Sequence, residues 1–203
     1  RGRISFIPNW EKDWSFRLAS GLYYQPPFYR EIRDYDGILH PEVRAQQSIH
    51  YVFGADVNFK QWNRPFKWTG ELYYKDLNQL NPYNIDNLRI RYSAQNNADG
   101  RAYGLDMKLH GEFVKGIDSW MSVSVMRIEE DIEGDSYFDN QDSVTVSPGF
   151  IPRPTDQRVS VSFYFQDYLP SDPSFTVNLG LYFSTGLPFG PPQSERYQQT
   201  LRT

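Results

Sequence analysis

Apolar and polar residues alternate with a period of two along most of this chain. The alternation is clearest in residues 159–166, where it separates Val159, Val161, Phe163 and Phe165 from Ser160, Ser162, Tyr164 and Gln166. The same alternation recurs in residues 14–24, 51–60, 68–75, 103–110, 121–125 and 175–183. A period of two is typical of strands with one apolar and one polar face. The pattern therefore predicts an all-β, antiparallel fold.

The links between these strands alternate between short and long. The short links lie near residues 8–13, 61–65, 114–118 and 170–174, and the long ones near residues 25–46, 78–100, 133–157 and from 186 onward. Outer-membrane β-barrels have short periplasmic turns and longer extracellular loops. We therefore predict an antiparallel transmembrane β-barrel segment of about eight spanning strands, with the long links outside the cell. Residues 87–93 also alternate, and they must lie in a long loop or extend a neighbouring strand if the up-and-down order is to hold.

The tryptophans have a one-sided distribution along this pattern. Each of the five lies within or beside a short link: Trp10, Trp14, Trp62, Trp68 and Trp120. Tryptophan favours the interface between membrane and water, because its ring is apolar and its N–H stays hydrated. The distribution predicts an aromatic girdle on the periplasmic side. The alternative is that these residues cap the core of a soluble β-domain.

Composition excludes several other classes of protein. The chain has no cysteine, which excludes disulfides, thiolate metal sites and a cysteine nucleophile. Its net charge of -4 gives no reason to expect nucleic acid as a partner, since that binding depends on clustered lysine and arginine. No window holds the roughly 20 consecutive apolar residues that a membrane helix needs.

Several segments carry a resemblance to a known family. They are SGLYYQPPFYRE at 20–31, QSIHYVFGADVNFK at 47–60, YGLDMKLHGEFVKGIDSWMSVSVMR at 103–127, PRPTDQRVSVSFYFQDYLP at 152–170 and GLPFGPP at 186–192. These segments resemble the barrel of TonB-dependent receptors from the Bacteroidetes, and the resemblance covers nearly the whole chain. It implies that residues 1–203 form part of a plugged barrel of roughly 22 strands.

The same resemblance implies a function and a location. Such receptors import scarce nutrients across the cell outer membrane. The expected partners are outer-membrane lipid, a plug domain, the TonB energy-coupling complex and a small nutrient that the sequence does not identify. We recognise neither a plug domain nor an energy-coupling segment in residues 1–203, and we expect both to belong to a part of the protein outside this sequence.

No catalytic, cofactor-binding or metal site is predicted, and we do not expect an enzyme. The histidines His40, His50 and His110 lack the spacing of metal ligands and are interpreted as surface or lumen residues. No G-x-S-x-G motif accompanies the frequent serines. An acidic stretch contains Glu129, Glu130, Asp131, Glu133, Asp135, Asp139 and Asp142. Its oxygens suit calcium, but it does not match the EF-hand pattern, and we predict a solvated loop.

Charged residues on the polar strand faces have two expected roles. They are Arg17, Asp56, Glu71, Lys75, Asp106 and Lys108. In a barrel they would face the lumen, where they could pair with one another or contact the plug. Two alternatives to a TonB-dependent transporter stay open: a passive porin, and a soluble β-sandwich that binds carbohydrate through Tyr23, Tyr24, Phe28 and Tyr29.

Overall fold

The chain forms antiparallel β-sheets, as the alternation predicted. The computed structural model describes residues 1–10, 12–86, 89–139, 144–169 and 171–188. The strands are β1 (Gly2–Phe6), β2 (Trp14–Gln25), β3 (Gln46–Gln61), β4 (Arg64–Leu80), β5 (Tyr83–Asp86), β6 (Arg89–Tyr92), β7 (Ala98–Val114), β8 (Ile117–Ile132), β9 (Tyr137–Asp139), β10 (Val144–Val146), β11 (Ile151–Pro152), β12 (Val159–Leu169) and β13 (Asp172–Ser184). None of the described residues belongs to a helix that is long and apolar enough to cross a membrane.

One large sheet contains most of the strands. Its order is β1-β2-β3-β4-β7-β8-β12-β13, and β11 pairs with β8 beside β12. Two hairpins, β5–β6 and β9–β10, form separate two-stranded sheets. The prediction for residues 87–93 is confirmed where they are described, because β6 lies in the long link between β4 and β7; residues 87 and 88 lie outside the described part. The path has eight strands, as predicted, but no closed barrel is present among the described residues.

The pairing register places the two kinds of side chain on opposite faces. One cross-strand row consists of Leu18, Phe53, Leu72, Leu105 and Val125. The next row, on the other face, consists of Arg17, Gly54, Glu71, Asp106 and Ser124. Further along that second face, Ser124 and Ser122 of β8 lie opposite Ser160 and Ser162 of β12. The serines are therefore explained by the polar face, as expected.

Tight turns join the strands at one end of the sheet. Trp62 and Asn63 connect β3 to β4 with φ values of 54° and 56°. Two successive left-handed residues are typical of a type I′ turn, whose twist matches that of paired strands. Gly116, with φ of 77°, serves the turn between β7 and β8.

The small buried core lies at the opposite end, where the long links fold back on the strands. It contains Leu80, Ala98, Ile132 and Ile151. The strands β4 and β7 extend into this region and reach well beyond the predicted residues 68–75 and 103–110. Their pairing continues there because backbone hydrogen bonds do not require alternating side chains. The alternation alone therefore underestimated the length of these strands.

Candidate functional site

The apolar face of the sheet is exposed, which is the reverse of a soluble half-buried sheet. Leu72 of β4 is 57% exposed and Leu181 of β13 is 59% exposed. On the polar face, by contrast, Asp56 of β3 is only 5% exposed. Antiparallel sheets of soluble proteins normally pack their apolar face on a core and leave the polar face in water. Within the described residues, nothing of this chain covers most of the apolar face.

The apolar side chains form a band of limited height. On β4 they extend from Phe66 to Tyr74, and the next residue on that face is Asp76. On β7 they end at Tyr103, which is followed on that face by Arg101. The Tyr74 and Tyr103 rings stack with their centroids 6.5 Å apart at the boundary. The band therefore has an aromatic rim, with charged residues beyond it.

This apolar band is inclined to the strands. Its upper boundary is Tyr24 on β2 and Phe183 on β13. In the pairing register, the Phe183 row lies eight residues closer to the turns than the Tyr24 row, about 26 Å along the strands. The six steps between these strands span about 29 Å. The band thus makes an angle of about 40° with the perpendicular to the strands.

A polar network joins β2, β3 and β4 on the opposite face. Arg17 contacts the Asp56 carboxylate, and its Nη2 donates to Glu71 Oε1 at 2.9 Å. The Thr69 hydroxyl donates to Asp56 Oδ1 at 2.7 Å. Arg17 reaches β4 by crossing Gly54, where a Cβ atom would lie 3.0 Å from its Nη2. The predicted pairing of charges on the polar strand face is confirmed for these residues, and a glycine makes the approach possible.

Two of the other predicted lumen cations lie over aromatic rings. The Lys75 Nζ is 5.1 Å from the ring centroid of Tyr73, and the Lys108 Nζ is 5.2 Å from that of Trp120. Trp120 also stacks on Tyr164, one of the polar-face residues of β12. Trp120 therefore lies on the polar face, whereas a residue of the predicted periplasmic-side girdle is expected on the apolar face. Sequence position near a turn does not fix the face, because adjacent residues of a strand point in opposite directions.

The acidic stretch is not uniformly solvated, contrary to the prediction. Glu129 is 2% exposed and accepts a hydrogen bond from Arg101 Nε at 2.9 Å. Arg127 contacts the same carboxylate from its own strand. Glu130 is fully buried, and Arg153 Nε lies 3.2 Å from its Oε2. These carboxylates are buried because β11 and its neighbours fold back against β8, a contact that the sequence pattern did not indicate.

Polar contacts hold the long links together. The Asn81 side chain is almost fully buried and donates to the Glu31 carbonyl at 2.7 Å. The Arg44 amide donates to Asn96 Oδ1 at 2.7 Å, and Arg153 lies 5.3 Å from the Tyr83 ring centroid. Sequence reasoning missed these residues. The only signal available for Asn81 was the Asn-Pro pair that follows β4, which favours a turn.

A cavity of about 410 Å³ opens between the same links. Its lining includes four carboxylates, from Asp34, Asp36, Glu133 and Asp135, and contains neither lysine nor arginine. Burial and the nearby Asp131 raise the pKa of Asp135. In the described part of the chain, no group of histidine and carboxylate residues is arranged to hold a metal ion. Asp142 of the acidic stretch lies outside the described residues.

The three histidines are dispersed, as interpreted from the sequence. His40 has its Nε2 2.9 Å from Asp34 Oδ2 and its Nδ1 2.9 Å from Glu42 Oε1. The His50 ring packs 4.4 Å from that of Tyr23, and His110 Nε2 lies 3.8 Å from Asp118 Oδ2. Only the first of them lines the acidic cavity.

The order of the 26–45 link is expected to depend on pH through His40. Hydrogen bonds that the His40 ring donates to the carboxylates of Asp34 and then Glu42 raise the pKa of His40, so its charged form is favoured when the link is folded. That stabilisation is complete below the ordinary value of 6.5 and is lost as the pH rises through the raised pKa. Proteolysis within this link should therefore accelerate as the pH rises from 6 to 9. In His40→Gln, which cannot titrate, the rate should lose this pH dependence; an identical profile in both proteins would contradict the assignment.

Comparisons with known proteins do not identify a family. No protein-family model matches the chain, and no curated protein or solved structure matches it significantly.

Proposed function

We propose that this chain forms part of the barrel wall of a TonB-dependent transporter in the bacterial outer membrane. The observation that carries the proposal is the exposed apolar band with charged residues beyond its aromatic rim. A transmembrane strand needs about 9–11 residues to cross a bilayer. On β4 the apolar positions of this face run from Phe66 to Tyr74, which is about that length, and Phe66 itself packs beneath neighbouring aromatic rings. Lipid would cover the apolar face that this chain leaves exposed.

The inclination of the band supports the same proposal independently. Strands of outer-membrane barrels are tilted by about 35–45° from the membrane normal. An apolar band that is level with the membrane must then cross the strands obliquely. The angle between the band and the perpendicular to the strands equals the tilt of the strands from the membrane normal. The angle of about 40° between Tyr24 and Phe183 falls within this range.

The open edges of the sheet fit a larger barrel. β1 and β13 each have one neighbour among the described strands, so each has an edge without a partner. Unpaired backbone groups cost several kcal/mol each in hydrocarbon, and an open sheet is therefore not a viable membrane span. Further strands of the same protein would pair with these edges. A barrel of roughly 22 strands would also have room for a plug.

Labelling of single cysteines on intact cells tests the orientation. The chain has no cysteine, so each introduced thiol is unique in it. Ser136→Cys, in the long link between β8 and β12, should react with a membrane-impermeant maleimide. Lys115→Cys, in the exposed turn between β7 and β8, should react only after the cells are lysed. The opposite labelling pattern would reverse the direction of every strand.

Energy coupling distinguishes a transporter from a passive porin. Cells that lack the protein should lose growth on one class of limiting nutrient, tested with iron chelates, cobalamin, peptides and glycans. Uptake of that nutrient by wild-type cells should stop when a protonophore dissipates the proton gradient. Uptake that continues at the same rate would indicate a porin. Recovery of the protein in the soluble fraction would instead favour the carbohydrate-binding sandwich.

A further inference from the structure

The apolar face contains a groove whose lining includes an arginine at each end, Arg101 of β7 and Arg3 of β1. The groove has a volume of about 860 Å³, and its lining includes Leu18, Phe53, Leu72, Tyr74, Tyr103 and Arg101. These side chains belong to the outward rows of β2, β3, β4 and β7. No carboxylate lines it. A long apolar chain with an anionic end has the shape and polarity that such a groove would accept.

The course of the groove follows from the inclination of the band. Tyr103 and Arg101 lie at the upper boundary of the band on β7, whereas Leu18 and Ile4 lie well inside it on β2 and β1. A groove along the cross-strand rows therefore descends from the rim into the apolar band. From β7 to β1 the groove crosses four strand-to-strand spacings, a distance of about 19 Å. One leaflet of the hydrocarbon core is about 15 Å thick, so an acyl chain fits a descending path of this length.

Arg101 lines the upper end of the groove, and Arg127 lies beside it on β8, opposite Tyr103. Arg101 and Arg127 share the single Glu129 carboxylate, which is almost fully buried between them. The two arginine side chains remain 39% and 41% exposed. Asp76 pairs with Arg101 in the register but does not line the groove. A ligand that approaches the rim therefore meets guanidinium groups, which bind phosphate through paired hydrogen bonds.

We infer that this groove binds one phosphate-bearing lipid of the outer leaflet, with its phosphate at Arg101 and Arg127 and an acyl chain along Leu72, Phe53 and Leu18. The inference rests on the proposed function, because it requires the apolar band to face lipid. It goes further by assigning a specific lipid site to one part of that band. The bound lipid would fill a depression that ordinary annular lipids cover only loosely.

Lipid retention by the full-length protein tests the inference. The protein, purified in mild detergent, is mixed with dipalmitoyl phosphatidic acid or with dipalmitoyl glycerol, which has the same acyl chains but no phosphate. Native mass spectrometry should show one phosphatidic acid bound per protein, at roughly tenfold higher affinity than the glycerol lipid, since charge-assisted hydrogen bonds are lost with the phosphate. Equal affinity for the two lipids would overturn the inference.

Two variants test the two ends of the groove separately. Arg127→Gln leaves Arg101 to neutralise Glu129 but removes one of the two guanidinium groups that would bind the phosphate, and it should weaken phosphatidic acid binding roughly tenfold without changing glycerol lipid binding. Ser20→Phe places a ring among the groove-lining side chains and should reduce binding of both lipids. Arg89→Gln, on the exposed hairpin strand β6, is the matched control and should bind like the wild type. Unchanged binding in both test variants would exclude this site.

Membrane fractionation separates failure of this inference from failure of the proposed function. A protein that resists carbonate extraction from the outer membrane but retains no lipid at the groove would contradict only the lipid site. A protein that is extracted as a soluble species would contradict both. Each variant is compared with the wild type for heat-dependent gel migration, which reports barrel folding before lipid binding is measured.

Discussion

Leu179→Arg is expected to impair membrane assembly severely, while Asn178→Arg on the neighbouring position is expected to be tolerated. Leu179 lies midway along the apolar residues of β13, which run from Phe175 to Phe183. Arginine on the lipid side near the bilayer midplane costs about 2–4 kcal/mol. Asn178 points to the opposite face, where its Oδ1 accepts a hydrogen bond from the Tyr164 hydroxyl at 3.2 Å. The measurement is the yield of heat-modifiable, folded protein in the outer membrane.

The pair is informative because both positions are exposed in the isolated sheet. Leu179 is 48% exposed, and Asn178 is exposed as well. In a soluble protein, substitutions at two exposed positions usually change stability by no more than about 0.5 kcal/mol. A soluble domain would therefore accept arginine at both sites. Equal assembly of the two variants would refute the outward facing of Leu179 and with it the membrane proposal.

Arg153→Met should open the long links at the outer end of the sheet. Arg153 lies against the fully buried Glu130 and over the Tyr83 ring, so one side chain connects β8 with two other segments. Removing one partner of a buried ion pair typically costs about 3–5 kcal/mol, because the remaining charge is desolvated. Hydrogen exchange should therefore accelerate at the backbone amide of residue 153. In the wild type this amide donates to the Ile128 carbonyl at 3.0 Å.

A second substitution separates the electrostatic effect from the loss of packing. Glu130→Gln in the Arg153→Met background removes the buried charge and should restore part of the lost protection. Amides of β2 and β3, which are remote from this site, should exchange at the same rate in all three proteins. If the double variant were no more protected than Arg153→Met, loss of the ring and packing contacts, rather than the buried charge, would explain the opening.

The main sheet of this molecule could largely be predicted from its sequence. Alternation assigned the faces of β12 and β13 correctly, because each side chain of a strand points away from the preceding one. The alternation of short and long links likewise predicted which end of the sheet has the tight turns. Both features are local, since a strand and its neighbouring turn are determined by residues close together in the chain.

The outer assembly could not be predicted in the same way. Glu129 and Glu130 belong to a strongly acidic stretch, and composition alone favoured a solvated loop. Their burial depends on Arg101, Arg127 and Arg153, which are brought to them by pairing across strands and by the return of β11. Such contacts join distant parts of the chain and have no short-range sequence signal. The face of Trp120 was missed for a different reason. Its nearness to a turn was considered, but not whether its position in the alternation of β8 places it on the apolar or the polar face.

The separation of the two hairpins from the main sheet has a consequence for how related sequences can differ in length. In their described residues, β5–β6 and β9–β10 share no ladder hydrogen bonds with the main sheet, so residues can be gained or lost there without shifting any of its registers. A single residue gained within β4 or β7 would instead move every following side chain to the opposite face. Gaps in an alignment of homologues should therefore gather in these hairpins, and the wall strands should keep constant lengths.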